Sequence, residues 1–166
     1  VITECIIKDI GYHSILAELP ASEIENIIRT KDTELVKFDG IMMFRPVGQM
    51  SVGAIEFNEL TEISIQDEPE QTLDKPIIGL LDGLPISNHH LLKNRIIIDD
   101  PDDLAQYYPV ASRIHGTGMA SLIINGDLNN GRSLIKQPIY CRPIMKPIGV
   151  NSAEFVPDDI LIVDLV

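Results

Sequence analysis

Short apolar runs separated by breaks rich in Gly, Pro and Asp dominate the chain from Pro76 onward. Ile77-Ile-Gly-Leu-Leu-Asp82-Gly83 is almost continuously apolar and ends on an acid and a glycine. Such a run predicts a strand buried on both faces, as in a parallel sheet. Arg95 to Ile98 predicts a second strand and Ile139 to Met145 a third, with Pro143 marking an edge or bulge. Between them, His115 to Ile124 predicts a helix with Met119, Leu122 and Ile123 as its apolar residues, ended by Asn125-Gly126. Strands alternating with a helix point to an α/β sheet. Asp82 then falls at the carboxyl end of its strand, where open α/β sheets place their ligands.

Residues 1–48 read as a separate small α/β unit. Cys5-Ile-Ile-Lys8 and Ser14-Ile-Leu-Ala-Glu-Leu19 have strand character, and Pro20 ends the second. Ser22-Glu-Ile-Glu25 has the spacing of a capping box, and Ile24, Ile27 and Ile28 share one face of a helix running to about Arg29. Glu34 to Phe38 and Ile41 to Phe44 are expected to be extended, with a turn at Asp39-Gly40. Residues 49–75 are acidic, with short strands expected at Ala54 to Phe57 and Glu62 to Ile65 and a linker from Gln66 to Lys75. Past the third strand, Pro147 to Val156 reads as loop, and Pro157 to Val166 as the start of a helix with acids in its first turn.

Chemistry enters with Asp82 and His115. An acid on a strand end and a histidine on a helix start are two members of an Asp–His–nucleophile arrangement. Ile78-Gly-Leu-Leu-Asp82-Gly83 resembles the aspartate motif of the subtilisin-like serine peptidases, and His115-Gly-Thr-Gly-Met-Ala120 resembles their histidine motif. The order, acid before histidine, and the separation between them also suit that family. Leu84 follows Gly83 in place of the family's small hydroxyl pattern, and Gly118 stands where a second histidine is frequent. No Gly-Thr-Ser-Met-Ala type serine motif occurs in these 166 residues.

The resemblance implies a partial subtilisin-like parallel sheet with flanking helices over residues 76–166, preceded by a prodomain-like or accessory unit over 1–48 and joined through the segment 49–75. It implies a serine endopeptidase in which Asp82 orients His115, His115 activates a serine beyond Val166, and the substrate is a polypeptide. Neither metal nor organic cofactor is needed for that chemistry. The alternative is a catalytically inactive module of the same kind that binds peptides or regulates. Without its serine, the sequence as given is expected to be inactive, and its open apolar surface is expected to drive self-association.

Composition narrows the partners. Hydrophobic residues make up 45% and charged residues 23% of the chain, as in ordinary globular proteins. The net charge of −12 disfavours nucleic acid and anionic membrane surfaces. No apolar run has the length of a membrane span. Cys5 and Cys141 form neither a disulfide framework nor a metal cluster, and reduced thiols suit a cytoplasmic location. Asp99-Asp-Pro-Asp-Asp103 gathers four carboxylates, which raises calcium as a ligand, but without EF-hand spacing it reads as a solvated acidic turn. His89 and His90 read as surface residues, and Tyr107-Tyr-Pro109 as a loop anchor.

Overall fold

The computed structural model describes residues 1–48, 50–51, 75–128, 134–149 and 153–166, with the backbone alone at 50–51. The expected strands at 54–57 and 62–65, most of the 66–75 linker, and residues 129–133 lie outside the described residues. The chain divides into two compact units: Val1–Gly48 with Asp158–Leu165, and Gln49–Pro157 with Val166. Together they make a mixed α/β protein with a three-stranded parallel sheet.

In the first unit, β1 (Thr3–Ile7) pairs antiparallel with β2 (Tyr12–Leu16), from Thr3 opposite Leu16 to Ile7 opposite Tyr12. A 3-10 turn over Lys8–Ile10 links them and is ended by Gly11 at φ 63°, a left-handed conformation that suits glycine. Helix α1 (Ala21–Arg29) begins directly after Pro20. Ser22 therefore lies inside the first turn, no side chain caps the helix, and the expected capping box is not used. Glu25 instead pairs with Arg29 one turn on, at 2.8 Å. Glu34 to Lys37, expected to be extended, is a short helix, α2. The local reason is Thr33, whose hydroxyl oxygen accepts the Val36 N–H at 3.3 Å, with Glu34 in the first turn favouring the helix dipole. Ile41 to Phe44 forms no regular element, and the helix expected near the end of the chain is a single 3-10 turn, Ile162–Leu165.

The second unit is built on β4 (Ile78–Asp82), β5 (Ile96–Ile98) and β6 (Ile139–Pro143). β6 lies between the other two and is parallel to both, pairing Ile78 with Ile139, Asp82 with Pro143, and Ile98 with Cys141. Helix α3 (Ile114–Asn125) covers one face. Gly116, Ala120 and Ile124 are buried at a spacing of four that draws one stripe along the helix, and Asn125 is buried beside its end. Of the three apolar residues read on this helix, Ile123 packs against the core, whereas Met119 and Leu122 are 37% and 55% exposed. The core holds Leu80, Leu91, Leu92, Ala120, Ile124, Ile139 and Cys141.

Burial on both faces of the sheet, which the apolar run predicts, is not observed. Leu81 and Ile97, pointing away from that core, are 42% and 45% exposed. Alternation along a strand sends successive side chains to opposite faces, so one face alone is covered by α3. Pro147 to Val156 also differs from expectation, because β7 (Lys146–Ile148) and β8 (Ala153–Phe155) pair antiparallel there. The backbone of β3 (Met50–Ser51) adds to the other edge of β8. No described helix is long and apolar enough to cross a membrane.

The burial contrast on α3 gives a direct test. Ile124→Ala removes a side chain with no exposure and should lower stability by about 2–5 kcal/mol. Leu122→Ala, two residues earlier, should stay within about 0.5 kcal/mol of the parent. Urea denaturation followed by far-UV circular dichroism ranks the two, and the opposite ranking would contradict this core.

Candidate active site

Two glycines set how closely β4 and α3 approach. A Cβ on Gly116 would collide with the Gly83 carbonyl, and a Cβ on Gly83 would collide with Glu154 Oε1. Neither clash falls on Gly118 or Gly79, where an added Cβ meets nothing within 4 Å. The sequence thus places side-chain-free residues at the point where the strand end, the helix and β8 converge. Thr117 ties the same elements from the side: its hydroxyl donates to the Arg113 carbonyl at 2.5 Å and its oxygen accepts the Ile86 N–H at 2.9 Å.

Asp82 is the last residue of β4 and is 7% exposed. Its Oδ1 accepts the Gly83 N–H at 2.7 Å, and its own carbonyl accepts the Ile144 N–H at 2.9 Å, which fix side chain and backbone together. His115 is the second residue of α3. Its Nδ1 lies 3.3 Å from Asp82 Oδ1. The two sequence-predicted site residues are therefore brought side by side at the carboxyl end of the parallel sheet. The pair is in ion-pair range without an aligned hydrogen bond, and Nδ1 has no hydrogen-bond partner among the described residues.

Sequence reasoning missed a third member, Glu154 of β8. The residue has no exposed surface, its Oε2 is 3.9 Å from His115 Nδ1, and neither carboxylate oxygen has a hydrogen-bond partner among the described residues. Ala153-Glu-Phe155 offers an acid between two apolar residues, which is a weak signal, and its strand forms only through pairing with β7 and β3. Burial raises the Glu154 carboxyl above its ordinary range. The Tyr108 hydroxyl and the His115 ring oppose that shift, and the Asp82 charge adds to it. Tyr108 is itself buried, and its hydroxyl donates to the Met145 carbonyl at 3.0 Å. Desolvation also pushes the Cys141 thiol up to about 12, with the Asp82 charge adding to the shift, so this cysteine stays protonated.

The other singled-out residues have structural employment or lie apart. Asp100 accepts the N–H groups of Leu104 and Ala105 at 2.9 and 2.8 Å, capping the 3-10 turn Leu104–Tyr107. Asp99 accepts the Tyr140 hydroxyl, and the Arg142 guanidinium is 3.9 Å from Asp99 and 3.7 Å from Asp102. Two of the four acids therefore share a cation already on β6. The His89 and His90 rings lie side by side with centres 4.3 Å apart and planes tilted by 40°. Ser121 accepts from the Asn125 amide at 3.3 Å along α3, and Ser87 is exposed in the loop after Asp82.

Glu154 yields a pH prediction. A carboxyl whose folded-state value exceeds its unfolded value holds its proton more tightly when folded. It favours folding below the usual glutamate range, about 4.3, and that contribution is lost as pH rises through the raised value. The stabilities of the parent and of Glu154→Gln should keep a constant offset below pH ~4, and the variant should gain on the parent as pH rises to 7. Urea midpoints across this range, measured with a chelator present, check it; an offset that does not change with pH would contradict the burial of this acid. Comparison of the chain with protein-family models, curated proteins and solved structures returned no match.

Proposed function

We propose that Asp82 and His115 are the acid and the base of an Asp–His–Ser triad in a subtilisin-like serine endopeptidase, the serine being supplied by sequence after Val166. The observation that carries this reading is the 3.3 Å approach of His115 Nδ1 to Asp82 Oδ1 at the carboxyl end of a parallel sheet. In this mechanism Asp82 accepts the Nδ1 proton and keeps the imidazole in the tautomer whose Nε2 can take a proton. His115 removes the serine hydroxyl proton as the oxygen attacks the peptide carbonyl, then returns it to the leaving amine. The His115 side chain is 27% exposed, so one edge of the ring remains open to a nucleophile and substrate. The substrate is a polypeptide, and the chemistry proceeds through an acyl-enzyme without a cofactor.

One observation favours a second reading, an inactive module of the same kind that binds peptides or regulates. The Nδ1 atom makes no aligned hydrogen bond to Asp82 and faces a second carboxylate, an arrangement less orderly than an acid–base pair requires.

A fluorophosphonate probe separates the two readings. Residues 1–166 alone should remain unlabelled. A gene product extended beyond Val166 should be labelled at one serine, and His115→Ala or Asp82→Asn should lower the labelling rate by at least about a hundredfold. An extended, folded product that takes no label would support the binding module and overturn the peptidase. Labelling indifferent to both substitutions would overturn the assigned roles.

A further inference from the structure

Asp82, His115 and Glu154 each present one donor atom, and these atoms all lie within 4.8 Å of one another. Around a first-row transition ion, donors about 2.0–2.2 Å from the metal stand roughly 3–3.5 Å apart. The His115 Nδ1 separations of 3.3 Å to Asp82 and 3.9 Å to Glu154 are already close to that spacing. Small side-chain rotations would complete it.

Proximity of acids alone would not make a site. The independent observation is Glu154, a fully buried carboxylate whose two oxygens have no hydrogen-bond partner among the described residues and whose Oε2 lies 3.9 Å from His115 Nδ1, which has none there either. Removing a carboxylate from water without a hydrogen bond or a cation costs several kcal/mol. The chain nevertheless makes room for it, since only glycine at position 83 leaves space for Glu154 Oε1. Asp82 is additionally oriented by the Gly83 N–H, the kind of outer hydrogen bond that holds a metal-ligating carboxylate in place.

We propose that Asp82, His115 and Glu154 bind a divalent first-row transition cation, with zinc as the representative ion. One imidazole and two carboxylates suit zinc and its neighbours, whereas calcium seeks six to eight oxygens and a structural zinc site commonly uses thiolates. Three protein donors leave at least one coordination position for water or an incoming ligand. The inference does not depend on the triad reading. If that reading also holds, the cation occupies the nitrogen that Asp82 would otherwise orient, so the ion is an inhibitor of the peptidase.

The test uses residues 1–166, which need no serine for it. Calorimetric titration with zinc, and the visible absorption of bound cobalt(II), should each report one equivalent. Glu154→Gln and His115→Gln should each weaken binding by at least about tenfold, while a chain changed to alanine at both His89 and His90 should bind as the parent does. Histidine nitrogen NMR on the unsubstituted chain provides a readout free of folding defects: zinc should shift His115 Nδ1 selectively. Absence of binding, an unperturbed His115 Nδ1, or folded Glu154→Gln and His115→Gln chains that bind like the parent would each overturn the site. These outcomes are separate from fluorophosphonate labelling, so the cation site and the triad can fail independently.

Discussion

The close approach of Gly83 to Gly116 is the contact on which the site depends. A strand end and a helix start come within backbone contact there, and a Cβ on Gly116 would wedge them apart. Overpacking of that kind typically costs about 1–3 kcal/mol and is relieved by backbone shifts. Such shifts would move Asp82 and His115, the residues immediately before Gly83 and Gly116, away from each other. The buried stripe of Gly116, Ala120 and Ile124 continues the same logic along α3, with small residues near the site and a large one over the sheet core.

Charge is the second constraint. Two carboxylates and one imidazole meet in a place where Asp82 and Glu154 have almost no contact with solvent. Asp82 accepts the Gly83 N–H, but Glu154 has no hydrogen-bond partner among the described residues. A proton on Glu154 relieves the repulsion between the acids, and a bound cation relieves it more completely. A fold that selected only for stability would place an apolar residue there, because a well-packed hydrophobic replacement for a buried charge is often neutral or stabilising. The retained acid is best understood as serving the site.

Asp82 and His115 were legible because each lies at the end of a locally encoded element. A strand with an acid at its end and a helix with glycines in its first turn are written in consecutive residues. Glu154 was not legible, because β8 is three residues long and pairs with an equally short neighbour, β7, and with β3, about a hundred residues earlier in the chain. Local capping explains the other errors. Thr33 turned Glu34–Lys37 into a helix, and Pro20 started α1 early enough to leave Ser22 without its capping role. The parallel sheet follows from the apolar runs, but neither the central place of β6 nor the open face bearing Leu81 and Ile97 does, since periodicity in a continuous apolar run cannot tell one covered face from two.

His115 Nδ1 faces the Asp82 carboxylate at 3.3 Å, and the triad reading requires that this nitrogen carry the proton. Long-range proton–nitrogen NMR of the chelator-treated chain at neutral pH, with the His115 signals assigned by loss in His115→Gln, reads that directly. Neutral His115 should carry its proton on Nδ1, because an acceptor 3.3 Å away stabilises that tautomer. A ring protonated on Nε2, with Nδ1 bare beside two acids, would contradict the account.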